Sequence, residues 1–162
     1  MNQYPWRPNL YTIADGVAVV ELGNGKCTIV DSSDWELLKG YMWRLRVFGH
    51  NHYAVNSTRG MMHRMITGFH RTDHINRNGL DNRRCNLREA SHADNLRNRG
   101  RQSNNSSGYK GVSRASKATW KAMIQYCGRD IYLGSFPNKE LAALAYDAAA
   151  RQYFKEFAYT NF

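Results

Sequence analysis

The chain has 162 residues and a net charge of +10. This length allows one large domain or two small ones, and so large a basic excess favours a polyanionic partner such as nucleic acid. The three cysteines, Cys27, Cys85 and Cys127, form no C-x-x-C pair, which argues against a zinc ribbon or a disulfide scaffold and predicts a reducing, intracellular setting. No apolar run follows the first ten residues or reaches membrane-spanning length, so neither a signal peptide nor a membrane span is expected.

The basic residues are concentrated beyond residue 60. Residues 61–107 carry nine Lys and Arg against four Asp and Glu, and residues 108–162 carry eight against four. Residues 1–60 are nearly neutral, with six against five. We therefore expect contacts with a polyanion mainly from the second and third segments.

The first seventy residues predict short strands and one short helix. A Gly-Asn-Gly turn at residues 23–25 lies between two β-branched runs and predicts a hairpin. Residues 31–34 offer N-cap side chains for a brief helix over residues 35–38, which Gly40 ends. Further strands are predicted over residues 41–48 and 52–55, and residues 61–69 fit a strand or a helix equally.

A polar stretch over residues 99–108 divides the chain. It lacks an apolar anchor and predicts a linker at residues 101–107, between domains at residues 1–100 and 108–162. Beyond the linker, apolar and polar residues alternate on either side of a turn at residues 127–130. This alternation predicts a small antiparallel sheet with one apolar face.

A helix is predicted after this sheet, beginning behind Asn138, which can cap it. Leu141 and Leu144 recur in the helix at helical spacing with several alanines. We expect these leucines to pack in the core with Trp120 and Ile124 of the sheet. The predicted fold class is α+β, and the second domain is a small sheet packed on one helix.

The residues that indicate chemistry lie between positions 63 and 99. Asp73 and His74 precede an Asn-Arg-Asn-Gly turn, a Leu-Asp-Asn-Arg-Arg run and an Asn-Leu-Arg pattern that begins at Asn86. Hydrolysis of a phosphodiester needs a base that activates water and a cation that stabilises the developing charge. His74 titrates near neutral pH and suits the base. Asp73 offers a carboxylate oxygen and Asn95 an amide oxygen, and both suit Mg²⁺.

With the His-Arg-Met-Ile-Thr-Gly stretch that begins at His63, these motifs resemble the HNH endonuclease family. They resemble the form of the HNH motif that is common among phage and intron-encoded homing enzymes. The resemblance covers most of residues 1–100 and implies a ββα-metal nuclease domain with extra strands, acting in a bacterial or phage-infected cytoplasm.

The resemblance also implies a role for each residue of the motif. Asp73 and Asn95 would bind Mg²⁺ or Mn²⁺, and His74 would be the general base. Asn86 would fix the loop between the strands and orient the histidine. His92 lies on the same predicted helix as Asn95 and is an alternative ligand.

The residues around the motif leave two further points open. His70 and His74 are four positions apart and could hold zinc from one helical face, although Gly68 and the Asn-Arg-Asn-Gly turn argue against a helix there. Several arginines crowd the motif, and we expect phosphate contacts from some of them, namely Arg83, Arg84 and Arg97.

The segment beyond residue 108 carries Tyr-Lys-Gly-Val, Leu-Gly-Ser-Phe and Ala-Tyr-Asp elements. These resemble the APETALA2-type DNA-binding domain of plant ethylene-response factors, which implies a three-stranded sheet that enters the major groove of double-stranded DNA. The polar face of that sheet supplies the candidate contacts, which are Lys110, Lys121, Met123, Gln125, Arg129 and Tyr132, with Ser113 and Arg114 at its edge. Several of these differ from the plant pattern, so the target sequence does not carry over.

The sequence therefore predicts a metal-dependent, site-preferring DNA endonuclease or nickase. The first domain would cut and the second would select the site. The alternative is a DNA-binding regulator with a vestigial nuclease site, and RNA is less favoured because the sheet fits a B-form major groove better. One active site per chain predicts nicking by a monomer, whereas a homodimer could cut both strands.

Overall fold

The computed structural model describes residues 8–162. The predicted absence of a signal peptide falls mainly on residues 1–7, which lie outside the described residues. The chain divides into two compact units, one ending at Ser91 and the other running from His92 to Phe162. Both units combine small antiparallel sheets with helices, so the α+β class is confirmed, whereas the domain limits at residues 100 and 108 stay a prediction. Among residues 8–162, no helix combines the length and the apolar character needed to cross a membrane.

The first unit begins with two small sheets, each followed by a short helix. The first sheet, in the order β1-β2-β3, consists of β1 (Tyr11–Ala14), β2 (Val17–Gly23) and β3 (Lys26–Asp31), and α1 (Ser32–Leu38) follows it. The second, in the order β4-β5-β6, consists of β4 (Arg44–Phe48), β5 (Asn51–Asn56) and β6 (Gly60–Met61), and α2 (Met62–Thr67) follows it. The unit ends with an antiparallel hairpin of β7 (Thr72–His74) and β8 (Leu87–Glu89).

Most local predictions for this unit hold, although α1 begins at Ser32 instead of residue 35 and β4 begins at Arg44 instead of residue 41. The hairpin at residues 23–25 is confirmed as β2-β3, and the stretch that fitted a strand or a helix forms α2, which ends at Gly68 with a φ of 73°. Asp31 stands at the N-cap of α1, but its side chain makes no cap hydrogen bond. Its Oδ2 instead accepts a hydrogen bond from the backbone N–H of Arg84 at 2.8 Å, because the chain returns to this point 53 residues later.

One apolar core holds the first unit together. Strand β2 alternates as a half-buried strand should, with Ala18 and Val20 fully buried and Val19 exposed. The other buried members of this core are Leu22, Val30, Trp35, Leu38, Trp43, Ala54, Met62, Ile66 and Leu87. Because the core includes residues of both sheets, both helices and β8, it fixes the hairpin within the unit.

The second unit is a three-stranded sheet with a long helix, preceded by one short helix. Its elements are α3 (His92–Asn98), β9 (Val112–Arg114), β10 (Trp120–Tyr126), β11 (Arg129–Phe136) and α4 (Lys139–Phe154), and the sheet has the order β11-β10-β9. The predicted sheet packed on one helix is therefore confirmed. Asn138 also caps α4 as predicted, since its Oδ1 accepts a hydrogen bond from Leu141 N at 2.8 Å.

The buried face of α4 differs from the prediction. Leu141 and Leu144 are 43% and 50% exposed, whereas Ala142, Tyr146 and Ala150 are buried. Alanines let the helix approach the sheet closely, and aromatic rings of the sheet fill the layer between them. The expected core positions on the sheet are occupied as predicted, with Ile124 buried and Trp120 half-buried against buried alanines of the sheet and of α4.

Candidate nuclease site and nucleic-acid interface

The predicted catalytic pair lies on one strand of the β7-β8 hairpin. Asp73 and His74 are 7% and 6% exposed, and the strand register sets Asp73 opposite Arg88. Oδ2 of Asp73 accepts hydrogen bonds from Nε and Nη2 of Arg88 at 2.9 and 2.7 Å. Consecutive residues of one strand thus carry a carboxylate and an imidazole, and a guanidinium binds the carboxylate.

Asn86 fixes the loop that joins the two strands. Its Oδ1 accepts from Asn76 N at 2.9 Å, and its Nδ2 donates to Asn76 Oδ1 at 2.9 Å and to Asp81 O at 2.8 Å. Its backbone carbonyl accepts from Ile75 N at 2.9 Å. These bonds fit the loop-fixing part of its predicted role, and the orientation of His74 by Asn86 stays a prediction.

A second asparagine, which the sequence reasoning missed, bonds to the ring of His74. The distance between His74 Nε2 and Asn82 Oδ1 is 3.0 Å. Nδ2 of Asn82 donates to Thr28 Oγ1 at 2.8 Å, and Thr28 Oγ1 donates to the carbonyl of Leu80 at 2.8 Å. Asn82 and Thr28 are 0% and 1% exposed, so this chain of hydrogen bonds is shielded from water.

Strand β3 brings Thr28 to this position. Ile29 N donates to Leu80 O at 2.9 Å, and Asn82 N donates to Ile29 O at 2.8 Å. Ile29 and Asp81 thereby form a parallel bridge between the strand and the loop. The backbone of the loop is thus anchored to β3 at Leu80 and at Asn82, the residue whose side chain reaches His74.

Three rings form a cluster around the site, consisting of Tyr53, His63 and His74. The ring centroids of His63 and His74 are 4.9 Å apart with their planes at 86°, and Tyr53 lies 5.9 and 6.0 Å from them. Burial lowers the pKa of His63 to about 3, and His74 adds to this effect. Burial also lowers the pKa of His74, against the opposing effects of its hydrogen bond to Asn82 and of the charges of Asp73 and Asp81. Both imidazoles are therefore neutral near neutral pH.

Gly79 lets the loop approach this cluster. A Cβ at this position would clash with the carbonyl oxygen of His52 and lie 2.6 Å from ring carbons of Tyr53. No other residue type has so small a side chain, so only glycine fits here without movement of β5. The glycine of the Asn-Arg-Asn-Gly turn therefore serves packing as well as turn formation.

The arginines beside the motif have carboxylate partners within the first unit. Arg83 binds Asp81 through Nε and Nη2, each at 2.8 Å. Nη2 of Arg84 lies 2.7 Å from Asp34 and also donates to the carbonyl of Ile66 at 3.0 Å. The two arginine side chains remain 36% and 57% exposed, and their contacts with DNA stay a prediction.

The other predicted metal ligands lie on α3, in the second unit. Asn95 is half-buried and His92 is exposed. His70 lies in a bend after α2 and His74 in β7, so these two histidines do not share a helix. Within residues 8–162, no group of three or more His, Cys, Asp or Glu side chains is arranged to hold a metal ion. The ligand roles of Asp73 and Asn95 stay predictions.

Two of the predicted DNA-contact residues, Lys110 and Arg97, make side-chain contacts within the second unit. Nζ of Lys110 donates to the carbonyls of Arg97 and Arg99 at 2.7 and 2.6 Å. Arg97 pairs with Asp94 at 2.6 Å, and its guanidinium carbon lies 5.4 Å from the ring centroid of Phe154. These contacts attach the end of α3 to the rest of the second unit, which the sequence reasoning did not anticipate.

The register of the second-unit sheet sorts the remaining candidates by face. Lys121, Met123 and Gln125 alternate with buried Ala122 and Ile124. The opposite partners of these three on β9 and β11 share their face, which we call the polar face: Ser113, Lys121, Met123, Gln125, Asp130, Tyr132 and Ser135. Five predicted residues are thus brought together, and Asp130 and Ser135 were missed.

Two predicted residues lie on the other face of this sheet. Arg114 is opposite Trp120, with its guanidinium carbon 4.3 Å from the ring centroid, and Arg129 is opposite Tyr126. Both partners pack toward α4, so the register sets these arginines at the margin of the helix-facing side. Period-two alternation agrees with this placement, since Arg114 is two residues from buried Val112 on β9 and Arg129 is two residues from Ile131 on β11.

Comparison with known proteins identifies the family. No protein-family model matches the chain. An uncharacterized HNH endonuclease of Acanthamoeba polyphaga mimivirus is 33% identical over 153 residues, covering 86% of this chain and 78% of that protein. The chain therefore belongs to the HNH endonuclease family.

Two rice proteins are similar to a shorter part of the chain. An AP2/ERF and B3 domain-containing protein of Oryza sativa subsp. japonica is 46% identical over 57 residues, which is 35% of this chain and 16% of the rice protein. A second, putative member of the same description is 43% identical over 56 residues, covering 18% of its own length. The likeness therefore concerns about a third of this chain and a small part of each rice protein.

Proposed function

We propose that this protein is a metal-dependent, site-preferring endonuclease that hydrolyses phosphodiester bonds in double-stranded DNA. The observation that carries the proposal is the buried Asp73-His74 pair on the β7-β8 hairpin, with the ring of His74 bonded to Asn82. Membership of the HNH endonuclease family and the net charge of +10 support it.

His74 acts as the general base. Because burial lowers its pKa, the imidazole is neutral near pH 7 and can accept a proton from the attacking water. The nearby charges of Asp73 and Asp81 favour the imidazolium that results, as they oppose the effect of burial on the same pKa. Loss of a general base costs about 10²–10⁴-fold in rate.

The two side chains proposed as ligands carry the kind of oxygen atoms that a hard divalent cation prefers. Asp73 offers a carboxylate, and Asn95, the other proposed ligand, offers an amide oxygen. Mg²⁺ retains several waters and needs only one or two protein groups of this kind. If these residues hold it, Mg²⁺ or Mn²⁺ would supply positive charge that stabilises the developing negative charge and the leaving oxygen.

The second unit binds the DNA. Its polar face combines an ammonium, an amide and hydroxyl groups on neighbouring strands, and a narrow sheet of this kind can enter the major groove. Gln125 is exposed on this face and can read adenine, which presents matching donor and acceptor groups. Site preference would then arise in the unit that does not carry Asp73 and His74.

Incubation with supercoiled plasmid tests the proposal. The protein should relax or linearise the plasmid in Mg²⁺ and leave it intact in EDTA. A relaxed product indicates nicking by a monomer, and a linear product at early times indicates a homodimer that cuts both strands. Binding of DNA without cleavage in either condition would instead favour a DNA-binding regulator with a vestigial nuclease site.

Separate fragments test the division between the units. A fragment of residues 92–162 retains the contacts of Lys110 and Arg97 and should bind duplex DNA without cutting it. Site preference that is equal in the whole protein and in a fragment of residues 1–91 would remove the second unit from recognition.

A further inference from the structure

The hydrogen bonds behind His74 have a fixed direction. The carbonyl of Leu80 can only accept, so the hydroxyl of Thr28, 2.8 Å away, must give it its one proton. Toward Asn82, the same hydroxyl oxygen can then only accept. The amide of Asn82 must therefore present Nδ2 to Thr28 and Oδ1 to His74.

This direction determines the tautomer of His74. An amide oxygen only accepts hydrogen bonds, so Nε2 of His74, at 3.0 Å from Asn82 Oδ1, must carry the ring proton. In the neutral imidazole the other nitrogen, Nδ1, then holds the lone pair. Nδ1 is thus the ring atom that can take a proton from water.

We propose that Asn82 and Thr28 are positioning residues that hold His74 in the Nε2-protonated tautomer and so make Nδ1 the basic atom. This inference rests on the proposed function, in which His74 is the general base. Neither residue needs to touch DNA or metal, because Asn82 acts through the ring and Thr28 acts through Asn82.

Packing alone does not account for these polar groups. Thr28 and Asn82 are almost completely buried, and their neighbours include the apolar core residue Met62, whose sulfur lies 4.0 and 3.7 Å from them. A buried polar group is costly unless it is hydrogen-bonded, and a valine would fill the volume of Thr28 without that cost. The complete chain of bonds from the Leu80 carbonyl to the imidazole accounts for both residues.

Variants at Thr28 test the proposal away from the reacting atoms. Thr28→Val removes only the hydroxyl, so Asn82 can rotate its amide and present Nδ2 to His74, which would favour the wrong tautomer. Thr28→Ser keeps the hydroxyl and is the matched control. We expect Thr28→Val to lose about 10–100-fold in kcat on plasmid with Mg²⁺, with KM nearly unchanged, and Thr28→Ser to keep the wild-type kcat.

A spectroscopic measurement reports the tautomer directly. Two-bond ¹H–¹⁵N correlation spectra of ¹⁵N-histidine protein distinguish the two neutral forms, and comparison with His74→Ala assigns the signal. The wild type and Thr28→Ser should show His74 protonated at Nε2, whereas Thr28→Val should show a shift toward Nδ1.

Two results would overturn the inference. One is a wild-type His74 that is protonated at Nδ1, which needs no variant to fold. The other is a folded Thr28→Val protein that cuts as fast as Thr28→Ser with the same tautomer. A wild type that never cuts, but has His74 protonated at Nε2, would overturn the proposed function and still support the assigned direction of the hydrogen bonds.

Discussion

Replacement of Arg88 by Met tests how the carboxylate of the candidate site is held. The two side chains of the Arg88-Asp73 pair are 15% and 9% exposed, and both hydrogen bonds end on one carboxylate oxygen. Removing one partner of a buried pair costs about 3–5 kcal/mol, because the other charge stays buried without it. Since Arg88 is partly exposed, we expect a loss near the lower end, about 3 kcal/mol, in the free energy of unfolding measured by urea titration in EDTA.

A metal titration adds a second comparison to this experiment. If Asp73 binds Mg²⁺, the cation replaces the lost positive charge, and 100-fold excess over Kd should restore about 2.7 kcal/mol. The control is Lys39→Met, which breaks an exposed ion pair with Glu36. It should change neither the free energy of unfolding nor the effect of Mg²⁺ on it measurably. Wild-type stability of Arg88→Met would refute the reasoning about the buried pair. A variant that Mg²⁺ does not stabilise would contradict the ligand role of Asp73.

Three further changes give separate expectations. Gln125→Ala should weaken binding to a selected duplex by about 1–3 kcal/mol with little effect on random DNA. Lys121→Ala should weaken binding to both duplexes alike, measured across a salt series. If Gln125→Ala lost the same affinity on both duplexes, Gln125 would have no part in base recognition. Gly79→Ala should lower the free energy of unfolding by about 1–3 kcal/mol and slow cleavage. Gly40→Ala is the control, because a Cβ there would meet nothing within 4 Å, and it should change neither stability nor cleavage. Equal stability of the two variants would contradict the close packing at Gly79. Burial lowers the pKa of His63 to about 3, so between pH 6.5 and pH 3 the unfolded state binds a proton that the folded state does not. The free energy of unfolding should therefore fall as the pH drops toward 3, by at most about 1.4 kcal/mol per pH unit. His63→Phe should make that fall shallower, and an unchanged slope would refute the assignment.

Local sequence patterns were sufficient to place Asp73 and His74 on a strand of a hairpin and to predict most of the secondary structure. Asp73 and His74 stand next to each other in a recognisable motif, so no long-range information is needed to find them. The bond between Asn82 and Thr28 could not be predicted in this way, because it joins residues 54 positions apart. Asn82 lies in the recognised Leu-Asp-Asn-Arg-Arg run, but no feature of β3 distinguishes Thr28 from an ordinary strand residue.

In the second unit, hydrophobic periodicity alone does not determine which face of a helix is buried. In α4, alanines and leucines both recur at helical spacing, so the pattern allows more than one buried face. The rings on the sheet select the alanine face, because only small residues let the helix come close enough, and Leu141 and Leu144 are left exposed. Likewise, the formal charges of Arg83 and Arg97 were visible in the sequence, but their partners Asp81 and Asp94 became clear only in the fold.

The most direct test of the central claim compares His74→Ala with the wild type in single-turnover cleavage of supercoiled plasmid, with DNA affinity measured in parallel. If His74 is the general base, cleavage in Mg²⁺ should fall by about 10²–10⁴-fold. Affinity for the duplex should stay close to that of the wild type, because His74 is not among the proposed DNA contacts. Cleavage by His74→Ala at the wild-type rate would contradict the account.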